Sequence, residues 1–325
     1  MTSSVLAPGS TIGILGTGQL GRMLAVAAAR LGFRVETFGP EADPPAAHVA
    51  AGHTMASYDD EGALSRFAAK VDAATYEFEN IPTKTVSFLK AAGVPVRPDE
   101  EVLSVCQDRL EEKRYFEKAG VPTAPIWPIE DADDLAVAMA EVDGPAILKT
   151  RRFGYDGKGQ VRLKPGDDPQ AAFEACGGVP AILEGFVDFD FEVSLIAARG
   201  DSGAVAFFDM PRNTHRDGIL HQSHFPSHLP EEAVEAAHRT AAAILDDLNY
   251  VGVLTIEFFW SGVQGLIANE MAPRVHNSGH WTVEACETCQ FEQHIRAVAG
   301  WPLGRPQRHS DGVMTNLIGA EANEW

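Results

Sequence analysis

Asn269-Glu270-Met271-Ala272-Pro273-Arg274-Val275-His276-Asn277-Ser278-Gly279-His280-Trp281 is the stretch on which the reading of this chain turns. Its acid, Glu270, closes a strand-like run from Gly265, and the strand-like run before that, Leu254 to Phe259, carries a second acid, Glu257. Paired as adjacent strands, the two runs would project both carboxylates to one place. A dense cluster, Arg274, His276, Asn277 and Ser278, follows at once. Carboxylates with an Asn amide oxygen are hard oxygen ligands suited to Mg²⁺. Arg and His add positive charge for a small anion. Such a set suits the transfer of a phosphoryl group onto an anionic oxygen.

Composition narrows the class. The 325 residues leave room for about two or three domains. Apolar residues at 45% and charged residues at 22% are ordinary for a soluble globular enzyme. A net charge of -20 without a basic patch argues against a nucleic-acid partner. No apolar run reaches the roughly 18 residues of a membrane span. Met1 to Ser10 lacks the basic and apolar regions of a secretory signal, so the cytoplasm is the expected location. The 4 cysteines are too few for a disulfide framework. Cys286 and Cys289 read as thiols one turn apart on an amphipathic helix, with no second pair to complete a zinc site.

Working outward toward the N-terminus, strands and helices alternate. The apolar run Thr11 to Leu15 meets Gly16-Thr17-Gly18-Gln19-Leu20-Gly21, then a helical stretch from Arg22 to Leu31 and a strand from Phe33 to Phe38. Further signals at Val71 to Tyr76, Thr83 to Ala91 and Val94 to Val96 complete an open α/β unit with a parallel sheet. A charged helix over 108–119 is stopped by Gly120. A smaller unit follows, with a strand at Ile126 to Ile129, a helix at Asp131 to Val142, and strands at Ala146 to Lys149 and Ala181 to Glu184. From Glu192 onward strands dominate. Long helices are expected at Pro230 to Leu248 and Trp281 to Ala299, with one more strand over 311–318.

The first glycine turn follows a strand and opens a helix, the context of a phosphate-binding turn. Three readings stay open for it: a dinucleotide site using Glu36, a tight turn with no ligand, or amides and Gln19 holding the phosphate of a smaller substrate. Gly154-Tyr155-Asp156-Gly157-Lys158-Gly159-Gln160 lies between two strand runs and follows Lys149. A loop of that kind can close over nucleotide phosphates while a strand lysine reaches them. It is not a P-loop, because the required G-x-x-x-x-G-K-[ST] is missing. Glu184 and the following Gly185-Phe186-Val187 form a linker able to offer backbone bonds and apolar walls to adenine; Glu192 can accept from a ribose hydroxyl. His215 falls in a polar loop, with His221, His224 and His228 beyond it at spacings that suit no metal site.

Taken together these residues resemble the ATP-grasp carboxylase-type ligases, most closely the 5-(carboxyamino)imidazole ribonucleotide synthase family of purine biosynthesis. The resemblance is carried by Gly16 to Met23, Tyr76-Glu77-Phe78-Glu79-Asn80, Asp108-Arg109 with Lys113, Gly154 to Gln160, Asn269 to Trp281, and Asn316-Leu317-Ile318-Gly319. It implies an ATP-grasp fold, α/β and α+β, with a Rossmann-like preATP-grasp unit at 1–100, a linker helix and small lid at 101–185, and a C-terminal grasp unit at 186–325. It also implies ATP held by Arg109, Lys149, Gly154 to Gln160, Glu184 to Val187, Glu192, His215, Asn269 and Glu270. Two Mg²⁺ ions would sit on Glu257 and Glu270, and bicarbonate near Arg274, His276, Asn277 and Ser278. Aminoimidazole ribonucleotide would face Gln19, Leu20, Glu77, Tyr155, Asp156 and Arg274, with Asp156 as proton acceptor. A homodimer is implied as well. Family members usually continue past Asn316 to Gly319 into a basic segment that adds to the ribonucleotide site. This sequence ends at Trp325, so that site would be the incomplete one.

Three alternatives compete. Another ATP-grasp purine ligase or transformylase shares the grasp residues but fits the Arg274 to Ser278 cluster less well. An NAD-dependent oxidoreductase explains only the first glycine turn. A non-catalytic nucleotide sensor would be expected to lack Glu257, Glu270 or Arg274, and all are present.

Overall fold

The computed structural model describes residues 5–154 and 158–323. Strand β1, Thr11–Leu15, is buried at every position after its first, the pattern of a strand covered on both faces. It is followed by α1 (Gln19–Arg30), β2 (Arg34–Gly39), β3 (Gly52–Met55), α2 (Glu61–Ala68), β4 (Ala73–Tyr76) and α3 (Thr83–Ala91). The strands pair in parallel in the order β3-β2-β1-β4, with the helices as crossovers. α2 begins where the Asp60 carboxylate accepts the Ala63 N–H at 2.9 Å. The expected strand at Val94 to Val96 reduces to one bridge between Val96 and Ala74, because Pro95 brings no N–H to a ladder.

The helix expected over 108–119 is α5 (Arg109–Lys118), and a helix not foreseen, α4 (Glu100–Cys106), precedes it. The break falls at Asp108, whose side chain accepts from Leu110 N–H at 3.0 Å and caps α5. A four-stranded antiparallel sheet comes next, with order β5-β8-β6-β7. It is built from β5 (Ile126–Ile129), α6 (Ala132–Glu141), β6 (Ala146–Thr150), β7 (Gln160–Leu163), α7 (Pro169–Ala175) and β8 (Ala181–Gly185).

The largest sheet is antiparallel and seven-stranded, in the order β14-β13-β9-β11-β12-β15 with β10 beside β9. Its members are β9 (Phe191–Arg199), β10 (Val205–Phe207), β11 (Arg212–Arg216), β12 (Ile219–Phe225), β13 (Gly252–Ser261), β14 (Gly265–Ala272) and β15 (Gly312–Thr315); α8 (Glu231–Asp247) packs on it. The tract around His215 is therefore strand β11 rather than the polar loop expected.

The single helix expected from Trp281 to Ala299 is two, α9 (Thr282–Ala285) and α10 (Gln290–Val298). Cys286 is extended and bridges to Arg308, while the Cys289 sulfur caps α10 by accepting from Glu292 N–H at 3.5 Å. The two thiols thus bracket a break instead of sharing a helix face. Side chains of α1 and α10, among them Leu24, Ala28, Ile295 and Val298, form one core with Ile196 of β9. That core ties the parallel sheet to the large one. Strand β14 is the edge of its sheet, and α5 covers it. Glu112 accepts from Met271 N–H at 2.7 Å, and Lys113 donates to Asn269 O at 2.7 Å. These side chains satisfy backbone groups that an edge strand otherwise leaves unpaired. Among the described residues no helix is long and apolar enough to cross a membrane.

Candidate active site

A cleft of about 1020 Å³ opens between the small sheet and the large one. Glu257 and Glu270 stand in its wall as direct cross-strand partners on β13 and β14. A register shift between Glu257 and Phe258 marks a bulge there, a device that re-aims side chains beside functional sites. Glu270 accepts from Arg109 Nη1 at 2.9 Å. Burial alone would raise the Glu270 carboxyl, but Arg109 overrules it and holds it down. Among the described residues the nearest basic nitrogen to Glu257 in an ion-pair position is His276 Nε2, at 3.6 Å. Burial, reinforced by the Glu270 charge, pushes its carboxyl up. Two facing, half-buried acids that raise one another's cost of ionisation suit a divalent cation. Beside them the buried Asn269 Oδ1 has no hydrogen-bond partner among the described residues. Protein oxygens here fit Mg²⁺ only in part, leaving positions for water and phosphate, as Mg²⁺ prefers.

The floor of the cleft is a lattice of alternating charge. Glu184 on β8 is buried between Lys149, which donates to it, and Lys113 at 3.3 Å. Burial would raise its carboxyl, yet Lys113 and Lys149 hold it at about 2. Burial in turn lowers Lys149, with Arg109 and Lys113 adding to the effect. The Glu112 carboxyl is pushed up to about 8 by burial and by the Glu270 charge. Lys113 is 0% exposed, so it acts by fixing Asn269 and Glu184 rather than by meeting a ligand. Glu184 is likewise an internal counter-ion, not the solvated linker acid that the sequence offered. Of this lattice, Arg109 and Lys149 are the cations that line the cleft, with Arg151, Arg162, Arg212 and Arg274 elsewhere around it.

Arg274 lies at the end of this wall. Its Nε donates to Glu79 at 2.5 Å and its Nη1 to Val275 O at 3.1 Å. The backbone of His276 is gripped by the buried Gln290, which accepts from His276 N–H at 2.9 Å and donates to His276 O at 2.7 Å. Burial, helped by the Arg274 charge, drives the His276 imidazole down to about 3, so the ring is neutral near pH 7. Asn277 lines the cleft, while Ser278 is buried beneath it. Gly279 permits that descent, since a Cβ there would fall 2.2 Å from Ile196 Cδ1 and 2.5 Å from Gln290 Oε1. Gly279→Ala is therefore expected to destabilise the fold by about 1–3 kcal/mol, the usual cost of overpacking, measured as a lower midpoint in denaturant.

The first glycine turn has an internal occupant. The Glu77 carboxylate, at the end of β4, accepts from the backbone N–H groups of Gly18 and Gly21 at the N-terminus of α1. A Cβ at Gly16, where φ is +100°, would lie 2.4 Å from Glu77 Cγ, so this position needs glycine. Glu36 is also committed, to Lys70 at 2.6 Å and Thr54 at 2.9 Å. A carboxylate already sits where a dinucleotide's pyrophosphate would need the amides, which overturns that reading of the turn. Gln19 is exposed on the first turn of α1 and Leu20 is half-buried against the core.

Other expected positions divide. Gly154, Gln160, Phe186, Glu192, His215 and Asn269 line the same cleft. Glu192 and His215 form an ion pair; burial would lower the imidazole, but Glu192 raises it. Phe186 presents its ring, because its amide is taken by Pro145 O at 3.2 Å. Gly185 N–H is bonded to Pro125 O at 2.9 Å, and Val187 is half-buried beyond it. Lys158 and Gly159 are exposed at the start of β7. Tyr155, Asp156 and Gly157 lie outside the described residues. Residues not singled out from sequence as part of the site include Glu79, Glu112, Asn213 and Gln290. Their partners are remote in the chain, and no local pattern announces them.

A nucleotide-sized cleft between two antiparallel sheets, with paired acids on one wall and buried lysines on the floor, defines an ATP-grasp-type site. The family model for the ATP-grasp domain matches residues 114–291, and that for the ribonucleotide synthetase preATP-grasp domain matches residues 9–107. The N5-carboxyaminoimidazole ribonucleotide synthase of Brucella melitensis biotype 1 is 53% identical over 321 residues, covering 98% of this chain and 88% of its own. The crystal structure of N5-carboxyaminoimidazole synthetase from Staphylococcus aureus complexed with ADP is 35% identical, with a TM-score of 0.94 over 99% of this chain and 86% of that one. The Aspergillus clavatus synthase in complex with ADP and 5-aminoimidazole ribonucleotide is 26% identical, with a TM-score of 0.88 over 96% of this chain and 83% of that one. The chain belongs to the N5-carboxyaminoimidazole ribonucleotide synthase family of ATP-grasp ligases.

Proposed function

We propose that this chain carboxylates 5-aminoimidazole ribonucleotide at its exocyclic amine, consuming ATP and bicarbonate. The observation that carries this is the convergence of Glu257, Glu270, Arg109 and Lys149 with Arg274 and His276 in one cleft. Lys149 and Arg109 lie against the polyphosphate, with Glu192 and His215 toward the ribose and Phe186 against the base. Glu257 and Glu270 would hold Mg²⁺, two ions in all, which would neutralise charge on the phosphates. Arg274 holds bicarbonate through its remaining guanidinium N–H groups and orients one oxygen in line with the γ-phosphorus. That oxygen forms the new O–P bond, the bond to ADP breaks, and carboxyphosphate results. Carboxyphosphate splits to CO₂ and phosphate. The amine nitrogen bonds to the CO₂ carbon and gives up a proton, for which Asp156 is the candidate acceptor.

Gln19, Leu20 and Glu77 face the ribonucleotide in this reading, Glu77 also fixing the glycine turn. The division at residues 100 and 185 into a ribonucleotide unit, a lid and a grasp unit belongs to the same proposal. So do a homodimer, implied by the family resemblance, and the cytoplasmic setting expected from the sequence. The test is ADP release with ATP and Mg²⁺. Release is expected to require bicarbonate and to rise when the ribonucleotide is added. Release indifferent to both would leave the acceptor misassigned.

A further inference from the structure

Behind His276 a line of buried polar side chains crosses the large sheet. Ser194, Asn213 and Ser223 stand on the adjacent strands β9, β11 and β12, and Ser194 is the cross-strand partner of Glu257 on β13. All three are buried, as is Ser278. Interior hydroxyls and amides cost stability unless each is bonded, and here they bond to one another.

The direction of every link follows from one that cannot reverse. The backbone N–H of Ser278 reaches His276 Nδ1 at 3.3 Å, and a backbone amide only donates. Nδ1 is therefore an acceptor, and the neutral ring carries its proton on Nε2. The Ser278 hydroxyl, 2.9 Å from the same nitrogen, donates to it as well. With its proton so used, Ser278 Oγ accepts from the Ser194 hydroxyl at 2.8 Å. Ser194 Oγ then accepts from Asn213 Nδ2 at 3.0 Å. This orients the Asn213 amide, whose Oδ1 accepts from the Ser223 hydroxyl at 2.8 Å. A flipped amide would set Asn213 Oδ1 against the Ser194 oxygen, whose proton is already given to Ser278. The line is thus consistent in one sense only, and it terminates on the ring that faces the paired acids.

We propose that Ser194, Asn213 and Ser223 are positioning residues that hold the Ser278 hydroxyl as a donor to His276 Nδ1 and so, with the Ser278 backbone N–H, keep the proton of the ring on Nε2, so that the ring offers a donor, not a lone pair, to an anion in the cleft. The tautomer of a histidine is set by the bond made at its other nitrogen. Gln290 fixes the backbone of His276 and leaves the ring to be set from this side. The importance of the lock rests on the function proposed above: bicarbonate and carboxyphosphate present oxygens that a bare Nε2 would repel and an N–H would bind.

The test uses the full chain labelled with 15N-histidine, the His276 signals being assigned by their loss in His276→Gln. In the wild type, Nδ1 is expected to show the shift of an unprotonated ring nitrogen and Nε2 that of a protonated one. Ser194→Ala frees the Ser278 hydroxyl to accept from the ring, leaving only the 3.3 Å backbone bond to hold the tautomer; it is expected to admit a fraction of the Nδ1–H form and to raise KM for bicarbonate about tenfold with KM for ATP unchanged, the low end for partners that orient a site ligand. Ser194→Thr keeps the hydroxyl and is expected to restore both readouts. Ser223→Ala, which frees the Asn213 amide to flip, gives a second route if Ser194→Ala does not fold. Pure Nε2–H tautomer in both alanine variants, or Nδ1–H in the wild type, overturns the proposal. Equal increases in both KM values without tautomer mixing also overturn it. A wild type that shows the expected tautomer, lost in Ser194→Ala, but no bicarbonate-dependent ADP release would sustain the lock and sink the proposed function instead.

Discussion

Arg274→Ala is expected to lower kcat/KM for bicarbonate about a thousandfold, the upper range for removing one donor aimed at developing negative charge. At about 1.4 kcal/mol per tenfold, that is roughly 4 kcal/mol of transition-state stabilisation. KM for ATP should hold, because in the proposed arrangement Arg109 and Lys149, not Arg274, meet the nucleotide. Geometry explains why this arginine carries so much. Its Nε is committed to Glu79 at 2.5 Å and one Nη1 bond goes to Val275 O at 3.1 Å, so the guanidinium plane is fixed before any anion arrives. Arg274→Lys keeps the charge but loses the planar fork, and should recover less than about tenfold of the loss.

Removing Arg274 also strands Glu79. Burial would raise that carboxyl, and it is Arg274 that holds it low. Arg274→Ala alone should therefore destabilise the fold, while adding Glu79→Gln should restore the denaturation midpoint and leave activity low. That pair separates loss of anion binding from loss of folding. A single variant with undiminished bicarbonate-dependent ADP release would remove Arg274 from the mechanism.

The paired acids were legible from sequence because each sits in a short, strongly apolar strand pattern with little chain between the strands. Adjacent antiparallel pairing is then the simple outcome, and the structure has it in the register Glu257 to Glu270. The glycine turn was legible as a turn. Its occupant was not, because Glu77 arrives from β4, and no local pattern tells which group will fill an array of amides. The internal roles of Glu112 and Lys113 were hidden for a related reason. On α5 they read as part of a charged amphipathic face, yet their partners are backbone atoms of a strand edge about 150 residues on. The break between α9 and α10 was masked by apolar periodicity running through it. It is made by capping that periodicity does not register: Thr282 Oγ1 accepts from Gln290 N–H at 3.0 Å while Cys289 caps the next turn.

Glu257→Gln is expected to abolish turnover and at the same time to make the metal-free protein more stable. The two effects separate a ligand from a structural acid. In the metal-free protein, burial and the facing Glu270 charge disfavour ionised Glu257, the charges of His215 and Arg274 offset this only in part, and His276, 3.6 Å away, is neutral near pH 7. An amide of the same shape escapes that cost, so the apparent Tm should rise by about 2 °C, the shift that roughly 1 kcal/mol gives a chain of this size. Added Mg²⁺ should raise the Tm of the wild type by mass action on the folded state and move the variant far less. Turnover should fall about a thousandfold, in the range expected when charge stabilisation at a phosphoryl-transfer site is lost. Glu270→Gln gives the contrasting case. It breaks the pair with Arg109 at 2.9 Å, leaving that guanidinium without its carboxylate, so this variant should lose both activity and stability. Matching Mg²⁺-dependent shifts in wild type and Glu257→Gln would show that Glu257 does not hold the ion. The opposite signs expected for the two acids follow from one difference: Arg109 already pairs with Glu270, whereas among the described residues Glu257 has no Lys or Arg partner and, in the proposed function, would gain its counter-charge from Mg²⁺.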